Sequence, residues 1–158
     1  MRAEPSPARV VAGADVLAAD LVVGGDARAA LDHVREHSWM TLVASDHLLD
    51  DAAAIIRELA DDDDLARDWL KRIETARESV DHPAEDQPAL ASAYRGGAMH
   101  LLTLDESLLS ASAGAAIRRR VETSVRHPGA FASLFDAESL YRTVVGGGYP
   151  GPDRDPRG

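Results

Sequence analysis

At 158 residues, 45% of them apolar, the chain is long enough for one domain with a real core. It has no cysteine, which excludes disulfides and thiolate metal sites, and no unbroken apolar run of the roughly 20 residues that a membrane helix needs. A net charge of −10, from 27 acids and 17 bases with Lys71 the single lysine, repels nucleic acid at low salt.

The same acidic, lysine-poor composition is typical of proteins from salt-in halophiles. Molar salt shortens the reach of charge to about 3 Å, so an RNA partner stays compatible with it. The most apolar N-terminal stretch, Val10 to Gly25, is interrupted by Asp15 and Asp20 and preceded by Glu4, Pro5 and Pro7. That is not the layout of a signal peptide. The expectation is a soluble, cytoplasmic protein with no membrane association.

Residues 1–8 carry two prolines and no periodicity and read as a loose tail; a domain over 9–145 follows. Val10 to Ala14 is a short apolar run that fits a buried strand. Asp15 caps a helix with Leu17 and Leu21 on one face, and Gly24-Gly25 ends it. Asp26 caps the next helix, whose stripe is Ala27, Ala30, Leu31 and Val34.

Met40 to Ala44 reads as a second strand. Ser45 or Asp46 then starts a helix that turns Leu48, Leu49, Ala52, Ile55, Ile56 and Leu59 inward. The acids Asp61 to Asp64 break that pattern and favour a new helix over Leu65 to Arg77, because acids suit a helix N-terminus. Asp81 to Gln87 is a polar loop, and Pro88 opens a helix to Tyr94 that Gly96-Gly97 stops.

Met99 to Thr103 is a third strand, Glu106 to Arg120 a helix, Val121 to Val125 a fourth strand and Pro128 to Val145 a last helical stretch. Residues 146–158 are rich in Gly and Pro and are expected to be disordered. Short apolar strands alternating with helices predict an α/β fold, a mostly parallel sheet of four or five strands covered on both faces.

In such a sheet, sites lie at the carboxyl ends of the strands. Asp15 follows the first strand and Asp105 the third; Asp86 stands at a helix start, and Asp51 is one turn into the helix after the second strand. Each alone is better explained as one of the many acids that cap helix starts. Together they offer hard oxygen ligands, which suit Mg²⁺ or Mn²⁺.

The segment Asp86-Gln87-Pro88-Ala89-Leu90-Ala91-Ser92-Ala93 reads D-x-x-x-L-x-x-A. It is followed by Gly97-Ala98-Met99-His100-Leu101-Leu102-Thr103-Leu104-Asp105, which reads G-A-x-x-L-x-T-x-D, and further on by Pro128-Gly129-Ala130-Phe131, which reads P-x-x-F. This block resembles the PIN domain family of metal-dependent nucleases, and the likeness runs over roughly residues 9–135. Ser45 to Ala52 is similar to that family's acid-bearing helix, with Asp51 in the place of a glutamate.

The resemblance implies a three-layer α/β/α sandwich and an Mg²⁺- or Mn²⁺-dependent endoribonuclease. Its metal ligands would be Asp51, Asp86 and Asp105, with Asp15 an accessory ligand. Its partners would be RNA, an antitoxin-like protein and a second copy of the chain in a homodimer. The sequence departs from the family's D-x-N-V-L at Gly13-Ala14-Asp15-Val16-Leu17: Gly13 stands where the metal-binding Asp is expected and Asp15 where the Asn is. Ser107 also stands where an Asp is frequent. The alternative is therefore a degenerate scaffold that binds RNA or protein and cuts nothing. A metal phosphatase is disfavoured because no D-x-D follows the first strand.

Other features have plainer explanations. His33, Glu36 and His37 read H-x-x-E-H, an inverted zinc motif, but histidines near a helix C-terminus suit the dipole. Arg118-Arg119-Arg120, with Arg95 and Arg126, form either a phosphate-binding edge or a solvated helix end. Trp39 and Trp69 border apolar periodic runs and read as packing residues. Asp61 to Asp64 read as a solvated cap.

Overall fold

The computed structural model describes residues 2–118 and 122–158. Its elements in chain order are β1 (Ser6–Ala12), α1 (Ala14–Val22), α2 (Gly25–Arg35), β2 (Thr41–Ser45), α3 (Asp46–Ala60), α4 (Asp63–Ala76), β3 (Glu78–Val80), α5 (Pro88–Gly96), β4 (Ala98–Leu102), α6 (Glu106–Leu109), α7 (Ala111–Arg118), β5 (Ser124–Arg126), α8 (Pro128–Leu134) and α9 (Ala137–Val144).

The five strands form one sheet in the order β3-β2-β1-β4-β5, and every pairing is parallel. Helices cover both faces, giving the expected α/β/α sandwich. Right-handed crossovers place the helices that lead from β1 out to β3 on one face and those that lead back through β4 on the other. The central strand is the most apolar: Val10, Val11 and Ala12 are fully buried, as a strand covered on both sides requires.

Two glycines set the approach of α5 to the sheet. Any Cβ on Gly96 would strike the Val43 side chain, so only glycine lets α5 lie against β2. Gly97 ends the helix at φ +65° with its carbonyl taking the Ser6 N–H (2.9 Å).

β1 begins earlier than its apolar run suggests. The Ala3 N–H donates to the Arg95 carbonyl (2.9 Å), and Arg2 lies over the Tyr94 ring. Arg2, Ala3 and Ser6 are thus bonded to the end of α5 and β1 starts at Ser6, so the loose tail expected there is corrected. β3 has no counterpart among the expected strands: three residues, two of them exposed, carry no period, and pairing with Val43 to Ser45 alone makes them a strand. The helix expected over Glu106 to Arg120 breaks at Ser110, and that over Pro128 to Val145 breaks at Phe135-Asp136, where Asp136 caps α9. Arg119, Arg120 and Val121, on which the basic edge and the start of the fourth strand were placed, lie outside the described residues.

The Gly/Pro-rich end is also corrected. The N–H groups of Asp153 and Arg154 both donate to the Glu36 carbonyl (2.9 and 3.1 Å), and Arg157 pairs with Asp32 (2.7 Å). Tyr149 Oη lies 2.6 Å from Nε2 of the buried His37. The segment stays put because the open carbonyls at the C-terminus of α2 need donors, a demand that composition does not show. Among the described residues no helix is long and apolar enough to cross a membrane.

Candidate functional site

The strand order reverses between β1 and β4, so the crevice at their carboxyl ends is where ligands bind in sheets of this kind. The register sets Ala12 beside Leu102. The segments leaving the two strands are therefore adjacent: Gly13 to Asp15 on one side, Thr103 to Asp105 on the other. A cleft of about 180 Å³ opens there, with Asp15, Asp51 and Asp105 among its lining residues.

Asp15 is in the first turn of α1. Its Oδ2 accepts the Leu104 N–H (3.0 Å) and its Oδ1 the Val16 N–H (2.8 Å). Gly13, the N-cap of α1, donates its N–H to the Leu102 carbonyl (2.8 Å). A Cβ on Gly13 would lie 2.7 Å from Asp15 Oδ1. The Asp15 carboxylate thus occupies the space that an acid at position 13 would need.

Asp105 caps the short α6. Its Oδ1 accepts both the N–H (2.9 Å) and the hydroxyl (2.7 Å) of Ser107, and these bonds hold its carboxyl below the usual range. The buried Thr103 steadies the turn by accepting the Asp105 N–H through Oγ1 (3.0 Å). Asp51 is exposed on α3, one turn beyond the buried Leu48. Gln87 caps α5 by accepting the Leu90 N–H (2.7 Å), and it also lines the cleft. The sequence gives no hint of this role, because a neutral amide between Asp86 and Pro88 carries no charge signal.

The structure therefore brings three of the four expected acids to one cleft. Asp86 is exposed in the turn before α5 and does not line it. Among the described residues, no group of three or more His, Asp or Glu side chains stands close enough to hold a single ion directly. The donor set still suits one kind of ion. Mg²⁺ keeps several of its waters and needs only one or two carboxylates, with the remainder acting through water. A direct cage of three acids is not what this arrangement offers.

The other candidates are absorbed by the fold. His33 Nε2 lies 3.2 Å from the Ala132 carbonyl with its ring stacked on Phe135, and His37 Nδ1 lies 2.6 Å from the His33 carbonyl. Glu36 uses its carbonyl to hold the C-terminal segment. Trp69 is buried, and Trp39 packs edge-on to Tyr141. Asp62 caps α4 by accepting the Leu65 N–H (3.0 Å), and its acidic neighbours are exposed. Arg95, Arg118 and Arg126 do not line the cleft. Burial, and secondarily Arg126, push the His100 pKa down to about 4.

Residues 4–157 match the model of a family of unknown function (DUF7384). No curated protein and no solved structure matches the chain.

Proposed function

The chain belongs to the family of unknown function DUF7384, and we propose that it is a PIN-like, divalent-metal-dependent endoribonuclease acting in the cleft between β1 and β4. One observation carries this reading: Asp15, Asp51 and Asp105 line one cleft at the point where the strand order reverses. Three carboxylates from three elements, with Thr103 and Gln87 lining the same cleft, form a concentration of hard oxygen donors.

Asp15 and Asp105 would hold Mg²⁺ or Mn²⁺, with Asp51 reaching it directly or through water, and Asp86 assisting from the turn before α5. When bound, such an ion lowers the pKa of water and neutralises charge on a phosphodiester. The Ser107 hydrogen bonds keep Asp105 ionised and so ready as a ligand. The Leu104 N–H fixes Asp15 in the space beside Gly13. Substrate RNA, an antitoxin-like partner and a homodimer belong to the same reading, as does a saline cytoplasm that screens the net charge of −10.

The test is Mn²⁺ calorimetry in molar KCl, followed by RNA cleavage. The Asp105→Ala variant should lose both binding and cleavage while staying folded, with only the modest loss of stability that a missing helix cap brings; unchanged cleavage would sink the assignment. A second reading, a scaffold that binds RNA or protein without cutting, is favoured by the lack of any three acids within direct reach of one ion among the described residues. Retention of RNA by a chain that takes up no Mn²⁺ would select it.

A further inference from the structure

A buried polar chain runs beside the cleft. His82, in the loop before α5, is 9% exposed; Ser45, at the end of β2, is 1% exposed; Ser92, on α5, is 0% exposed. His82 Nδ1 lies 2.8 Å from the Pro83 carbonyl oxygen. A carbonyl can only accept, so Nδ1 carries the proton and Nε2 of the neutral ring is an acceptor. The Ser45 hydroxyl, 2.7 Å away, donates to that Nε2. Ser45 Oγ in turn accepts the Leu48 N–H that starts α3 (3.1 Å), and the Ser45 N–H donates to Ser92 Oγ (3.2 Å).

The chain joins two of the segments that line the cleft. Leu48 and Asp51 on α3 form one, and Gln87, Pro88 and Ala89 at the start of α5 form the other. Between them runs the loop that holds both His82 and Asp86. The Ser45–His82 contact is not a nucleophile and base: Ser45 is closed to solvent and its oxygen already takes the Leu48 amide. A buried network with every link satisfied fixes one arrangement, because breaking any link strands a polar group away from water.

We propose that His82 is a positioning residue for this cleft: through Ser45 it clamps the loop over residues 81–87, and with it the start of α5, to the start of α3, fixing where Asp51 and Asp86 stand. The proposal rests on the reading of the cleft as a metal site.

Two substitutions separate the two ring nitrogens. His82→Asn supplies a donor near the Nδ1 position and leaves Ser45 without its acceptor, whereas His82→Gln supplies an acceptor near the Nε2 position. Mn²⁺ affinity of the full chain is measured by calorimetry in molar KCl, together with hydrogen exchange at the Leu48 amide and the imidazole nitrogen resonances of the native chain. The expected result is an Nδ1–H tautomer, about tenfold weaker Mn²⁺ binding with faster Leu48 exchange in His82→Asn, and retention of both properties in His82→Gln. An Nε2–H tautomer, which would leave Nδ1 and the Pro83 carbonyl as two acceptors facing each other, overturns the network as drawn even if the Asn variant fails to fold, and unchanged exchange in both variants overturns the clamp. Faster Leu48 exchange in His82→Asn with no Mn²⁺ uptake by the native chain upholds the clamp and overturns the metal reading instead. Mn²⁺ uptake by the native chain that neither variant alters overturns the positioning role alone.

Discussion

The Asp15 carboxylate fills the space that a side chain on Gly13 would take: its Oδ1 lies 2.7 Å from where a Cβ on that glycine would stand. Gly13 has φ −60° and ψ 161°, ordinary extended backbone that any residue adopts. The glycine is needed for room, and the room is used by an acid two residues along. The cleft thus has a carboxylate at the end of β1, supplied from position 15.

This relationship makes a paired prediction. Gly13→Asp alone crowds Asp15 and should weaken Mn²⁺ binding by several-fold, since two acids compete for one space. Gly13→Asp combined with Asp15→Asn moves the carboxylate to position 13 and should restore binding to within about threefold of native, by the same ligand count. Calorimetry on the three chains reads both steps. A combined variant weaker than Gly13→Asp alone would mean that Asp15 is not a substitute ligand.

Ser107→Ala tests how Asp105 is kept ionised. The native Asp105 pKa is depressed, chiefly by the Ser107 hydroxyl and then by the Ser107 N–H. A depressed carboxylate stays charged to lower pH, so removing the hydroxyl raises the pKa towards the ordinary value. The acid edge of Mn²⁺ binding should then shift to higher pH in Ser107→Ala. A pH series of Mn²⁺ titrations checks the shift, and coincident edges would show that Ser107 plays no part in it.

His100 supplies a stability prediction. Burial, and secondarily Arg126, hold its pKa at about 4 against an ordinary 6.5, and among the described residues its Nδ1 has no partner. The unfolded chain takes up the proton first, so this residue subtracts stability as pH falls from 6.5 towards 4 and has no such effect at pH 7. His100→Phe should therefore lose less stability than the native chain between pH 7 and 5, by on the order of 1–2 kcal/mol. Urea unfolding at the two pH values measures the difference; parallel losses would contradict it.

Tyr149→Phe tests the C-terminal segment. It removes the hydroxyl partner of His37 Nε2, at a ring that is 2% exposed. An unsatisfied buried nitrogen costs about 1–3 kcal/mol, and thermal unfolding should show a loss of that order. A neutral substitution would mean that water reaches His37.

The residue sequence determined the alternation of strands and helices, because a doubly covered strand must be a short apolar run and a covering helix must carry an apolar stripe. It also placed Asp15 and Asp105 at strand ends, where chemistry belongs in such a sheet. Only the tertiary structure decided the rest. β3 exists because β2 offers it partners, and the Gly/Pro-rich segment is held because the end of α2 needs donors. Asp86 stands outside the cleft while Gln87, one residue on, lines it, because the register of the turn before α5 sets which of the two faces inward. The same holds for Asp15: the residue order shows an acid two positions after Gly13, and the tertiary structure, through the Leu104 N–H that its Oδ2 accepts, decided that its carboxylate falls into the space at Gly13.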